Sequence, residues 1–329
     1  MTTLTPTEPD RSLQTGRTRR GRQRGFAQRR RRAGWMYLAP ALVVLVALLG
    51  FPIVQSFLLS FQSVRAADGL FGGTWTGLAN YQKLLTDPAV AKATTNTVYF
   101  TVVEVIAVLV ISLIFAQLLN HPRVKSSFFT VVLMIPWAIA PVANATIWKW
   151  IYNGNYGILN QTLMWMGVID KPMVWLANPT TALNMMLLAD IWKSIPFITL
   201  LLLAGLRGIP PVLYKAAKID GASRVQTFWS ITLPQIRPVL LICVVLQSIW
   251  AVKVFDLIYV LTKGGPADGT VTLNFLAYRS AFNFGDLGYG SALANLLFII
   301  MFVAALLYVR LLGTQRRRPP IAEAEEATK

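Results

Sequence analysis

Charged side chains lie inside the apolar stretches of this 329-residue chain, where they are costly. Asp190 and Lys193 stand three residues apart, and Lys253 and Asp256 repeat that spacing. Residues three apart share one face of a helix, so each pair either neutralises itself or presents both charges to one polar surface. Because an ionisable group facing lipid is expensive, we expect the polar residues of the apolar stretches to face the interior of a helix bundle. They are Glu104, Asn144, Asp190, Lys193, Gln247, Lys253, Asp256 and Asn295.

The chain lacks the residues that enzymes need. Its one histidine, His121, precedes Pro122 at the end of an apolar stretch and is most simply a loop residue. Its one cysteine, Cys243, lies within an apolar stretch and cannot form an intrachain disulfide. The sequence has neither a cluster of metal-ligating residues nor a P-loop of the form GxxxxGK[ST], which argues against an enzyme and against ATP binding by this chain.

The composition indicates an all-α polytopic membrane protein. It is 55% hydrophobic and 14% charged, whereas soluble domains are roughly 25% charged. Six apolar blocks approach the ~20 residues that cross a bilayer. They lie near Tyr37–Phe61, Val98–Leu119, Phe129–Ile151, Leu183–Leu203, Val239–Val260 and Ser291–Leu312. Membrane helices tolerate proline, so we expect kinks rather than breaks at Pro40, Pro52, Pro136, Pro141 and Pro196.

Basic residues set the expected orientation. Ten of the 31 lie in the first 34 residues, which we expect to be a disordered cytoplasmic tail near anionic headgroups and not a nucleic-acid arm. The first apolar block exceeds the core of a signal peptide and is expected to be a retained anchor. With both termini in the cytoplasm, cytoplasmic segments hold 22 basic residues and outer loops hold six. A second cytoplasmic tail is expected at 313–329.

The stretch 209–238, hereafter the two-helix loop, is a polar segment between the fourth and fifth blocks. Pro211 suits the start of a first helix and Gly221 its end. Ser223 can cap a second helix, which we expect to run until the chain approaches Pro234. We expect one apolar face from Leu213, Ala216, Ala217 and Ile219, and another from Val225, Phe228, Trp229 and Thr232. The alternative to a compact knob is an amphipathic segment lying on lipid.

"YKAAKIDGASRVQTFWSITLPQIRP" resembles the cytoplasmic loop of permease subunits in binding-protein-dependent ABC importers. The stretches "GLANYQKLL", "YGILNQTL", "DIWKSIPFITLLLLAGLRGIP" and "LTKGGP" are similar to the carbohydrate, maltose-type branch of that family. In the loop, the matching residues are Ala216, Ala217, Asp220, Gly221, Ala222, Phe228, Leu233 and Pro234. Lys215 departs from the pattern, because the family has a glutamate there.

The resemblance implies a type I ABC importer permease fold in the plasma membrane of a prokaryote. It implies a first span and outer loop at 35–92, a core at 93–312, and a coupling loop at 209–238 that docks on an ATPase through the matching residues and Lys215. A second homologous permease, two ATPase subunits that bind ATP and Mg²⁺, and an extracytoplasmic solute-binding protein are the implied partners. The missing glutamate puts one salt bridge to the ATPase in doubt, although exposed ion pairs contribute only about 0–1 kcal/mol.

The resemblance also implies a solute path for a sugar, with a di- or oligosaccharide as the expected substrate. A sugar site needs hydrogen-bonding groups and an aromatic platform. The candidates are Asn144, Asp190, Trp192, Lys193, Gln247, Trp250, Lys253, Asp256, Tyr259 and Asn295, each with packing or mutual neutralisation as the alternative. Glycerol-phosphate or another polar solute stays open. A secondary transporter is the alternative from a different class, but the two halves show no repeat.

Overall fold

The computed structural model describes residues 36–69, 72–122, 124 and 126–313. The predicted basic tail and nearly all of the predicted C-terminal tail, at 1–35 and 314–329, lie outside the described residues. The chain divides into two compact units, Met1–Leu58 and Leu59–Lys329.

The described residues of the first unit belong to helix α1, Met36–Leu59. Its 24 residues span about 36 Å at ~1.5 Å per residue, enough to cross hydrocarbon. It continues past Pro40 and Pro52, with π-helical geometry at Val46–Gly50, so these prolines do not break it. Most of its large apolar side chains are exposed. Such a surface suits lipid or another protein.

The second unit begins with a small cap. Strands β1, Gln62–Ser63, and β2, Thr74–Trp75, form an antiparallel pair. The Asn80 side chain in helix α2, Ala79–Thr86, donates to the backbone oxygens of Ser60 and Gln62 at 2.9 Å. These bonds hold the cap in one arrangement.

Eleven further helices follow among the described residues. They are α3 (Pro88–Leu119), α4 (Ser126–Ala138), α5 (Pro141–Ile151), α6 (Ile158–Trp165), α7 (Pro179–Arg207), α8 (Pro211–Ile219), α9 (Arg224–Thr227), α10 (Leu233–Val252), α11 (Asp256–Leu261), α12 (Leu273–Tyr278) and α13 (Leu287–Gly313). By length and apolar composition, five helical stretches can cross a membrane, and the bent pair α4–α5 makes up to six. The predicted helical membrane protein is therefore confirmed.

The third predicted span is broken, which corrects the expectation of a kink there. Helices α4 and α5 meet at 90°. Ala140 has φ −58° and ψ 142°, which is extended geometry. Proline disfavours the helical conformation of the residue before it and supplies no N–H, so Pro141 ends one helix and begins the next. Pro136 and Pro196, in contrast, lie within continuous helices as expected.

The core consists of two apolar clusters stacked along helices α3, α7 and α10, which pack on one another. Phe100, Met186 and Ile258 belong to the first cluster; Ile198 and Ile236 belong to the second. The second cluster lies nearer the two-helix loop in sequence, because it includes Leu206 and Ile209. This stacking fixes the three helices that carry four of the eight predicted polar residues, Glu104, Asp190, Lys193 and Gln247.

Candidate functional site: a charged cavity and a two-helix loop

A cavity of about 420 Å³ opens where α4 and α5 separate. Its residues come from three places: the α4–α5 break, the middle of α7, and the chain around the α10–α11 junction. They are Trp137, Pro141, Asn144, Asp190, Lys193, Ser194, Trp250, Lys253, Val254, Phe255, Asp256 and Leu257. This set is called the charged cavity below. Irregular backbone at membrane depth is tolerated where it lines a cavity, which accounts for two helix interruptions meeting here.

Both predicted charge pairs line the charged cavity. Among the residues that the structure describes, the ion pairs within 4 Å are Lys83–Asp286 and Arg279–Asp268, so neither predicted pair neutralises itself by direct contact. Asp190 instead interacts over longer range with both Lys193 and Asp256. Two cations and two carboxylates therefore face one space, and a ligand there meets donors and acceptors together.

Asn144 stands out among the residues of the charged cavity because its polar atoms are buried and unpaired. Only 1% of it is exposed, and neither its Nδ2 nor its Oδ1 has a hydrogen-bond partner. A buried polar group left unpaired costs about 1–3 kcal/mol. A carboxamide offers both donors and an acceptor, which suits hydroxyl groups.

Aromatic rings form one wall of the charged cavity. Trp137 stacks on Phe197 at 5.2 Å between ring centroids, and Phe197 meets the edge of Trp250 at 5.3 Å. Trp192 and Tyr259 do not line the charged cavity. Trp192 packs edge-on against Trp148, and Tyr259 stacks on Phe255. Of the predicted aromatic platform, Trp250 is the member that lies in the wall.

Three further polar candidates lie outside the cavity lining. Gln247 is buried and donates through Nε2 to Oε1 of Glu104, which is also fully buried. Asn295, on α13, is half-buried. Sequence reasoning missed Trp137, Ser194 and Phe255 as cavity residues. The pair of prolines around Trp137 was the available signal, because two prolines five residues apart favour a break.

The first helix of the two-helix loop, α8, begins and ends where its proline and glycine predict. Gly221 has φ +74°, the left-handed region that glycine adopts without strain. The N–H of Ala222 donates to the oxygen of Ala217 at 2.9 Å, and that of Gly221 to Lys218 at 3.3 Å. These two bonds are the Schellman end of a helix, which gives the turn a defined geometry.

The second helix begins as predicted but does not stop at Pro234. Ser223 and Gln226 form a reciprocal capping box at the start of α9. The chain then passes through a π-helical turn, Phe228–Thr232, directly into α10. The N–H of Leu233 donates to the oxygen of Phe228, five residues back. This wider turn accommodates Pro234, which has no backbone N–H, so the second helix of the loop and the fifth span form one continuous helical rod.

The predicted docking residues differ in accessibility. Exposed members are Lys215, Ala216, Asp220, Gly221 and Pro234; Ala222, Phe228 and Leu233 are half-buried; and Ala217 is buried. The predicted apolar faces are therefore wrong in part, because the loop packs back on the core. Leu213 and Ala217 point inward, and Thr232 is buried with its hydroxyl 3.1 Å from that of Tyr214. The large apolar side chains of the loop that are exposed are Val212, Ile219, Val225 and Trp229.

One electrostatic contact organises the loop between α11 and α12. Nη1 of Arg279 donates to Oδ1 of Asp268 at 2.5 Å. This hydrogen bond holds the pKa of Asp268 below its usual value. Nζ of Lys92 also donates to the oxygen of neighbouring Ala267 at 2.6 Å, which ties this loop to α3.

Comparison with known proteins agrees with this architecture. Residues 108–317 match the family described as binding-protein-dependent transport system inner membrane component. The chain is 37% identical over 289 residues to the trehalose/maltose transport system permease protein MalF of Thermococcus litoralis, covering 88% of this chain and 96% of that protein. It is 34% identical to the sulfoquinovosyl glycerol transport system permease protein SmoG of Agrobacterium fabrum, covering 85% and 90%.

Other similarities are of the same kind. The lactose transport system permease protein LacF of Rhizobium radiobacter is 31% identical, with 87% of this chain and 95% of that protein covered. Among solved structures, a bacterial ABC transporter involved in the import of the acidic polysaccharide alginate matches with a TM-score of 0.75 at 20% identity. That match covers 90% of this chain and all of the other, which confirms the predicted importer permease fold.

Proposed function

Since this chain belongs to the family of binding-protein-dependent transport system inner membrane components, we propose that it forms half of the pathway of an ATP-driven sugar importer. A second, homologous permease completes the pathway. An extracytoplasmic binding protein delivers the sugar, and two separate ATPase subunits hydrolyse ATP. Both termini of this chain lie in the cytoplasm, on the same side as the two-helix loop.

The charged cavity is the observation that carries the proposal of a sugar. It combines an unpartnered buried carboxamide at Asn144 with the aromatic wall that includes Trp250. Sugars need hydrogen bonds to their hydroxyls and an apolar surface for their C–H faces. The names of similar permeases, which mention trehalose/maltose, lactose and diacetylchitobiose, support a di- or oligosaccharide.

The charges of the cavity favour an uncharged sugar over glycerol-phosphate. Lys193 and Lys253 offer positive charge, but Asp190 and Asp256 line the same space. A phosphate entering this cavity would be repelled by the two carboxylates as well as attracted by the two ammonium groups, so the cavity is not built as an anion site. Hydroxyl groups, in contrast, donate to carboxylates and accept from ammonium groups equally well.

The two-helix loop transmits the work of the ATPases. Its second helix continues into α10, and α10 ends beside the charged cavity at Lys253. Force applied to the exposed residues of the loop therefore reaches the cavity along one rod. Closure of the ATPases would tilt this rod and expose the cavity to alternate sides, as in rigid-body alternating access.

Reconstitution tests the proposal. The permease pair, its ATPases and its binding protein are placed in liposomes, and ATP hydrolysis and uptake are measured with maltose, trehalose, lactose, diacetylchitobiose and glycerol-phosphate. We expect one of the sugars to stimulate both. Stimulation by glycerol-phosphate alone would overturn the sugar assignment, and uptake without ATPase subunits would indicate a secondary transporter.

A further inference from the structure

An apolar cavity of about 620 Å³ lies beside the two-helix loop, separate from the charged cavity. Five of its residues lie along one stripe of α3: Val110, Leu113, Ile114, Gln117 and Leu118. His121 and Val124 follow that helix, and Phe228 contributes from the π-helical turn. The spacing of the α3 residues is that of a single helix face.

The position of this apolar cavity along α3 corresponds to one leaflet of a bilayer. The 32 residues of α3 span about 48 Å, against ~30 Å of hydrocarbon. The cavity occupies the last three turns of this helix. Val110, Ile114 and Leu118 are each more than half exposed, so the cavity opens laterally.

Arg224 is the described basic residue that lies close to Phe228 in the two-helix loop. Arg224 is exposed, and its backbone oxygen accepts the N–H of Phe228, so the two lie one helical turn apart. Neither the segment 105–169 nor the segment 221–255 contains an acidic residue. Residues four apart share one helix face, so Arg224 places a positive charge beside Phe228 at this apolar cavity.

We propose that this cavity binds one anionic phospholipid, with an acyl chain against Leu113 and Phe228 and the phosphate at Arg224. Juxtamembrane basic residues attract anionic headgroups. The cavity is apolar and open at its side, so a hydrocarbon chain of an adjacent lipid can enter it. Because Phe228 belongs to the two-helix loop, the bound lipid contacts the segment that docks on the ATPase.

Native mass spectrometry of the assembled importer tests this proposal. The complex is released from nanodiscs containing equal amounts of phosphatidylglycerol and phosphatidylcholine, and retained lipids are counted. Leu113→Trp fills the cavity, and Val102→Trp is the matched control, because Val102 lies on the same face of α3 three turns away. Arg224→Ala removes the positive charge beside Phe228, with Lys218→Ala as the control within the loop.

We expect Leu113→Trp and Arg224→Ala to each retain one phosphatidylglycerol fewer per copy than their controls. Equal retention in variant and control would overturn the proposal. Equal loss of both lipids in Leu113→Trp would overturn the assignment of an anionic headgroup. Efficient crosslinking of Ile114→Cys to a cysteine in the second permease would show that a protein fills the cavity and would also overturn it. Arg224→Ala keeps the proposal testable if the tryptophan variant fails to assemble.

Discussion

Gln247 on α10 donates a hydrogen bond of 2.5 Å to Glu104 on α3, between the two apolar clusters of the core. Glu104 lies one turn from Phe100 of the first cluster and one turn from Val108 of the second. The pair therefore forms a polar layer between two apolar ones. A directional bond at this level fixes the register of α3 against α10, since apolar contacts alone tolerate sliding.

Replacing one partner of this hydrogen bond should destabilise the permease more than expected from the effect of replacing both. Gln247→Leu removes the hydrogen bond that this side chain donates to the buried Glu104 carboxyl, at a cost of about 1–3 kcal/mol. The double variant Glu104→Leu/Gln247→Leu should lose less than the sum of the two single variants, with a coupling energy of about 0.5–3 kcal/mol. Thermal unfolding of the detergent-solubilised complex measures both. Gln161→Leu, at an exposed position, is the control. If the stability losses of the two single variants add up to that of the double variant, Glu104 and Gln247 do not form a coupled polar layer.

Asn144→Leu should lower transport without lowering stability. Its amide atoms have no partner in the protein, so the substitution removes no internal hydrogen bond. Loss of one sugar contact of ~1.4 kcal/mol corresponds to roughly tenfold in transport efficiency. Asn160→Leu is the matched control, because Asn160 bonds to Gly154, Met173 and Trp175. That control should unfold earlier, and an equal loss of stability in both would contradict a ligand-binding role for Asn144.

The predictable parts of the molecule were those governed by local chemistry. Long apolar runs predicted the spans, and proline and glycine predicted the ends of α8. Ser223 was identified as a cap because its side chain acts within three residues of itself. Each of these features depends on neighbours in the sequence.

The parts that were missed depend on packing. The apolar stripe of α8 does not reveal which side meets the core, so Ala217 was placed on the exposed face although it is buried. The charged cavity joins Asn144, Asp190 and Lys253, which are far apart in sequence. A proline within a span permits either a kink or a break, and the neighbouring helices decide between them.

The stability of the loop between α11 and α12, which contains Asp268, should be insensitive to pH between about 5 and 8. The hydrogen bond from Arg279 lowers the pKa of Asp268 in the folded protein. The stabilisation of the loop by ionised Asp268 is therefore fully present above the unfolded pKa of ~3.9, and it is lost as pH falls through the lower folded pKa. Hydrogen exchange of residues 264–271, corrected for intrinsic rates, measures the stability of the loop. Asp268→Asn tolerates the positive φ of 57° and should abolish the acid dependence; an unchanged acid transition in that variant would contradict the assignment.

Lys215→Glu should change the coupling between ATP hydrolysis and sugar transport only slightly. Lys215 is exposed, and exposed ion pairs contribute about 0–1 kcal/mol, or up to roughly fivefold. The ratio of ATP hydrolysed to sugar transported measures the effect, with Lys218→Glu as the control on the same helix. A gain in coupling beyond fivefold, confined to Lys215→Glu, would show that a basic group on the ATPase lies opposite this position.

Substitution of Gly221 should impair the coupling of ATP hydrolysis to sugar transport more than substitution of another glycine with a similar positive φ. Gly221 and Gly167 have φ of +74° and +70°, and an added Cβ at either would meet nothing within 4 Å. Alanine therefore costs each about 1–2 kcal/mol of backbone strain without a clash. Only Gly221 ends the helix that the ATPase would push, so Gly221→Ala should raise the ATP hydrolysed per sugar transported while Gly167→Ala does not. Gly221→Pro, which cannot adopt this φ, should abolish uptake yet leave membrane insertion intact. Equal coupling in the two alanine variants would rule out the two-helix loop as the lever.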